Sequence, residues 1–218
     1  MDTEEKIKAY RRFFSKRHDE SFILLPGRGT VMISAPHSAE QTRLGAPKTA
    51  ERQTGVLALL LHDALNCPVI YKTRNCGDDV NYDPQSPYKD ALTEYIAASG
   101  VRFLLDLHQL APRRPEKIDL GTGGFRNLTR TDALNVVLKE FTQRNLGTVQ
   151  LGIPFDASAP NTVSSHVRRI CGIQCLQVEI NSVLLNDGLD GTFGSVFEAL
   201  KECVIRLDRL PEEEPRYE

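Results

Sequence analysis

The chain has 218 residues, 40% of them hydrophobic and 26% charged, which is ordinary globular composition and enough for one large single-core domain. A formal net charge of -2 supplies no general electrostatic attraction to nucleic acid or to an anionic membrane. Five cysteines, an odd number, fit the reduced thiols of a cytoplasmic protein better than a disulfide scaffold.

The opening MDTEEKIKAYRRFF is charged and reads as an amphipathic helix within about the first 20 residues rather than a signal peptide. Four short apolar runs then follow at intervals: GTVMISAPH, CPVIYKT, VRFLLDLH and IQCLQVEI. Their length and β-branched content are those of buried strands. Between and after them, KTAERQTGVLALLLHDAL, SPYKDALTEYIAAS, RTDALNVVLKEFTQRN and TFGSVFEALKECVIRLDRL place apolar residues at helical spacing. Gly100 and Gly147 stand where helix C-caps are expected. The closing PEEEPRYE, residues 211–218, has the composition of a flexible tail. Strands alternating with helices imply right-handed crossovers and a mostly parallel, mixed sheet covered on both faces, an α/β domain spanning the chain.

Sites in such sheets form at the carboxyl ends of the strands. VMISAPH ends on His37, VRFLLDLH ends on His108, and CLQVEIN carries Glu179 near its end. A catalytic zinc commonly takes three protein ligands from His and carboxylate and keeps one open position. His37 and Glu40 form a short H-x-x-E pair, and His108 completes a two-His, one-carboxylate set. Such an ion lowers the pKa of water and polarises a carbonyl, and a carboxylate outside its ligand shell must then carry the proton. Glu179, between Val178 and Ile180, is costly in an apolar strand unless it has such a task. Asp106 and Gln109 flank His108 and are placed to orient ligands. Each residue also has a plainer reading. A histidine ending a strand is commonly just hydrogen-bonded, H-x-x-E arises by chance, and Glu179 could pair with Arg168 or Arg169. His62 reads as a helix-face residue, His18 as surface, and His166 as either surface or pocket wall. Cys171 and Cys175 read as buried structural thiols.

SAPHSAE, DLHQ and LQVEIN resemble the N-formylglutamate amidohydrolase family, within the wider clan of zinc carboxypeptidases and aspartoacylases. The likeness runs from about Val31 to the last helix. It implies a phosphorylase/hydrolase-like three-layer α/β/α fold and a cytoplasmic hydrolase with one Zn2+ per chain. Carried over, His37, Glu40 and His108 hold the zinc and Glu179 is the general base and acid. Relatives often carry Asp-Leu-Asn-Arg, whose asparagine and arginine grip a substrate carboxylate. Here DDVNYD keeps Asn81 but puts Tyr82 in place of the arginine. The missing anchor must come from Arg43, Arg74, Lys89 or Arg126, and GTGGF, Gly121–Phe125, resembles a pocket-lining turn of the family. The implied partner is a small-molecule amide such as an N-acyl amino acid, with weak or no turnover of N-formylglutamate itself. A metallocarboxypeptidase and a catalytically silent binding protein on the same fold are the alternatives.

Overall fold

The architecture was obtained as a computed structural model that describes residues 2–212, so that most of the acidic tail expected over 211–218 lies outside the described residues. A first helix, α1 (Thr3–Phe14), begins with a capping box in which the Asp2 side chain accepts from the Glu5 amide and Glu5 accepts from the Asp2 amide. Seven strands form one sheet: β1 (Phe22–Leu25), β2 (Val31–Ala35), β5 (Val69–Lys72), β6 (Phe103–Leu110), β7 (Ile118–Gly121), β8 (Val149–Leu151) and β9 (Gln174–Asn181). Their order is β1-β5-β2-β6-β9-β7-β8. The four central strands β5, β2, β6 and β9 run parallel, β1 and β7 are antiparallel to their inner neighbours, and β8 is parallel to β7. The sheet is therefore mixed with a parallel centre. A separate hairpin, β3 (Gln41–Arg43) and β4 (Ala46–Lys48), projects between β2 and the second helix.

Helices α1, α2 (Arg52–Leu65), α4 (Thr131–Thr142) and α6 (Thr192–Asp208) cover one face, and α3 (Pro87–Ala97) and α5 (Val163–Cys171) cover the other. This is the three-layer α/β/α arrangement. Side chains alternate across a strand, and the alternation decides where the site forms. Phe103, Leu105 and Leu107 of β6, with Leu176, Val178 and Ile180 of β9, enter the larger core. On the other pleat Leu104 and Cys175 pack beneath α3 and α5, and the same rows then turn polar through Asp106, His108, Gln177 and Glu179. The strands that read as apolar runs are thus two-faced near their carboxyl ends.

Gly100 and Gly147 do not cap helices; the C-cap residues of α3 and α4 are Ala98 and Gln143. The left-handed caps are Asn66 after α2 and Gly172 after α5. Of the two paired-looking thiols, Cys175 is buried and Cys171 only partly so, and all five cysteines are free. No helix among the described residues is long and apolar enough to cross a membrane.

Candidate metal centre and its cleft

His37 follows β2 after one proline, and its backbone carbonyl accepts the amide of Glu51 at 2.7 Å. That bond brings the start of α2 against the end of β2. Glu51 is the N-cap residue of α2, yet its side chain caps nothing and turns to the histidines instead. Oε1 lies 3.1 Å from Nδ1 of His37, and Oε2 lies 3.5 Å from Nδ1 of His108 and accepts the Gln109 amide at 2.9 Å. One nitrogen from each ring and one carboxylate oxygen fall within 4.8 Å of one another, the only such three-ligand group among the described residues. The rings stand nearly perpendicular, with centroids 4.8 Å apart.

The outward nitrogens are also engaged. Nε2 of His37 is 2.9 Å from Oδ1 of Asp79, and Nε2 of His108 is 3.2 Å from Oδ2 of Asp106; both acids are fully buried. A carboxylate there holds the proton on Nε2 and leaves the Nδ1 lone pair aimed at Glu51. A lone pair facing an anion is repulsive. The clash is relieved either by a second proton on each ring, whose Nδ1 then donates to Glu51, or by a cation standing between the three groups. Burial lowers the pKa of both imidazoles, but the acids around them outweigh it and hold both above the ordinary range. Burial likewise pushes Glu51 up, and the two imidazoles override this and bring it down to about 2. The pocket therefore calls for positive charge, and two nitrogens with one oxygen, each braced from behind, are a donor set that fits a divalent ion such as zinc.

Glu179 sits beside this centre by register. In β9 it is the partner of His108 on one side and of Asp119 on the other. Gln177 donates to its Oε1 at 3.1 Å, and Asn81 donates to Gln177 at 3.4 Å. Burial raises the Glu179 carboxyl to about 7, with the charges of Glu51 and Asp119 adding to it and the histidines opposing. Asp119 accepts the amides of Ile153 and Phe155, both at 2.9 Å, and so ties the loop after β8 to the sheet. That loop forms one wall of a cleft of about 410 Å³ that also opens onto His37, Glu51, His108 and Glu179. Gly121 permits the close approach: a Cβ there would lie 2.6 Å from the Phe155 carbonyl oxygen. Gly121→Ala is expected to lower stability by about 1–3 kcal/mol, as overpacking does, read from denaturant unfolding.

No family model matches the chain, and no curated protein does. Among solved structures it is similar to an N-formylglutamate amidohydrolase from Ralstonia eutropha, with 16% identity over 86% of this chain and 97% of that one and a TM-score of 0.59. It is similar to a bacteriophage poly-gamma-glutamate hydrolase at 13% identity, 92% and 95% coverage and TM-score 0.60. A gene product of Agrobacterium tumefaciens gives 15%, 86%, 94% and 0.59. What is shared at these identities is the fold.

Of the residues singled out in the sequence, the structure brings together His37, His108, Glu179 and Asn81. Glu40 is not among them. It is exposed and lines a different cleft, because the β3–β4 hairpin starts directly after it and the chain returns to the histidines only at Glu51. Asp106 stands behind His108 as expected, whereas Gln109 contributes its backbone amide and its side-chain oxygen has no partner among the described residues. Arg43 reaches the cleft; Arg74 lines the other one. Lys89 is buried and donates to the carbonyls of Asp83 and Asn161, and Arg126 is exposed with Nε on the Gly123 carbonyl. Neither lines the cleft. GTGGF supports the loop from beneath instead of lining the pocket. His166 also stays out of the cleft, its ring 3.2 Å from Arg169, and His18 is partly buried against Phe13. Reasoning from sequence missed Glu51, Asp79, Lys48, Arg113 and Arg114. Glu51 is visible in the sequence as an acid opening a strongly apolar helix, but nothing there ties it to the histidines.

Proposed function

We propose that the protein is a metal-dependent hydrolase of a small anionic amide, of the N-acyl amino acid type. The observation that carries this reading is the convergence of His37, Glu51 and His108, each imidazole backed by its own buried acid, with Glu179 one strand away in the same cleft. The fold shared with an amidohydrolase and a poly-gamma-glutamate hydrolase supports amide chemistry. A divalent ion bound by these three residues supplies Lewis-acid polarisation of the amide carbonyl and acidifies water. Glu179 takes the proton of the attacking water and returns it to the leaving nitrogen, a task suited to a carboxyl poised near neutrality. Asp79 and Asp106 fix the tautomer and tilt of the two rings.

Substrate charge is met by Arg43. The hairpin carries its guanidinium 4.8 Å above the Tyr82 ring, next to the position where the family motif has its arginine. Nε donates to Asp79 at 2.8 Å, and neither terminal nitrogen has a partner among the described residues, so a forked donor is free for a carboxylate. Lys48, Arg113 and Arg114 add to the positive wall. Asn81 is occupied in bracing, since its side-chain oxygen accepts the Val163 amide at 2.8 Å.

The test is a hydrolysis screen of N-acyl amino acids, N-formylglutamate included, with the metal-loaded chain and again with chelator. Chelator-sensitive release of a free amino acid supports the reading, and activity indifferent to chelator overturns it. In the same assay Arg43→Ala is expected to raise KM by roughly 10–100-fold, the worth of a charged hydrogen-bond pair. Arg126→Ala, outside the cleft, should leave KM where it was.

A further inference from the structure

A second cleft, of about 420 Å³, shares its wall with the metal cleft. His37 and Glu51 face the first, while Glu40, Ala50 and Arg52 of the same two segments line the second. Four cationic side chains converge on it from separate parts of the chain. Lys16 and Arg17 follow α1, Arg52 opens α2, and Arg74 follows β5. None of the four has an ion-pair partner among the described residues, and Arg52 spends only its Nε, on the Phe14 carbonyl at 3.1 Å. Glu40 is the sole acid in the lining. Four cations against one acid leave the cleft locally positive in a chain of net charge -2.

We propose that this cleft binds a small multiply charged oxyanion, free phosphate or a phosphate-bearing small molecule. The guanidinium forks match tetrahedral oxyanions through paired hydrogen bonds, and a di- or trianion balances the positive charge more fully than a lone carboxylate does. Asn75, also in the lining, has a second amide hydrogen beyond the one it gives Thr42 at 2.9 Å. The partition between the clefts is one hydrogen-bonded unit, since the Glu51 amide donates to the His37 carbonyl at 2.7 Å. Anion binding therefore bears on the segment that presents two of the three ligands. That coupling rests on the metal reading of the first cleft; the binding itself does not.

The experiment is calorimetric titration of the full chain, stripped with chelator so that no metal can recruit the anion. The titrants are inorganic phosphate, ribose 5-phosphate and acetate, at an ionic strength of about 0.05 M where surface charges are little screened. One saturable site per chain is expected, preferring phosphate over acetate by about tenfold or more. Ribose 5-phosphate binding tighter than phosphate identifies a phosphate-bearing metabolite, and the reverse order identifies the free ion. Paired reversal Arg52→Glu and Arg74→Glu should weaken binding by about tenfold or more. The reversal of Lys16 and Arg17, on a different element, should act alike, with circular dichroism verifying the fold of each. Arg113→Glu, in the metal cleft, should leave it unchanged. Absence of saturable binding, or a site lost through Arg113→Glu and kept in both paired reversals, overturns the proposal.

Discussion

Glu51→Ala is expected to strip the protein of metal and of activity together, whereas Glu40→Ala should keep its metal. Both acids stand near His37 in the chain, but only Glu51 reaches it, at 3.1 Å. Removing one of three protein ligands leaves two imidazoles to hold a divalent ion, and their lone pairs lose the anion that balances the charge. A loss of about 10²-fold or more in metal affinity is the least expected, since even partners that only orient ligands are worth 10–100-fold. Metal content of the purified variants by mass spectrometry, with melting temperature measured alongside, checks this directly. Stoichiometric metal in Glu51→Ala together with its loss in Glu40→Ala would return the ligand role to the H-x-x-E pair.

Glu179→Gln should separate chemistry from metal binding. The amide keeps the shape of the side chain but cannot take a proton. Gln177 now donates to the Glu179 oxygen at 3.1 Å, and the new amide can still accept that bond through its own oxygen. The fold and the metal content should therefore be preserved while turnover drops by roughly the 10²–10⁴-fold typical of a positioned acid–base group. Steady-state kinetics normalised to bound metal reads the effect. A variant with full turnover per metal would remove Glu179 from the proton path, and one that loses its metal would make it a ligand.

The central sheet was legible because β2, β5, β6 and β9 each announce themselves as short apolar runs between turn residues. The helices with strong apolar stripes were legible for the same reason. By contrast α5 reads VSSHVRRIC, polar enough to hide its buried face of Val163 and Val167, and β3, β4 and β8 are only three residues long. His37, His108 and Glu179 could be picked out because the carboxyl ends of parallel strands converge wherever the sheet is parallel. Glu51 could not. Its spacing from His37 is set by the inserted hairpin, and no local pattern says that a chain will turn away for ten residues and come back. Asp79 was visible as part of DDVNYD but not as the acid behind His37, a role that depends on β2 and the loop after β5 lying side by side.

The topology also orders events as the chain folds. β6 pairs with β2 through Val31 and Phe103, and with β9 through Phe103 and Gln174, so each pairing closes a loop of roughly 70 residues, the kind of step that slows folding. His108 rides on the strand that both pairings share. His37 and Glu51, joined through the backbone bond at the start of α2, can meet early as a local pair, but their partner arrives only with β6, and Glu179 later still with β9. A nascent chain thus exposes two would-be ligands long before it owns a complete set, and an ion captured at that stage is held by too few donors to stay. On the proposed metal reading, a full ligand set exists only once β6 has joined β2, so an ion would bind the completed sheet and not start it.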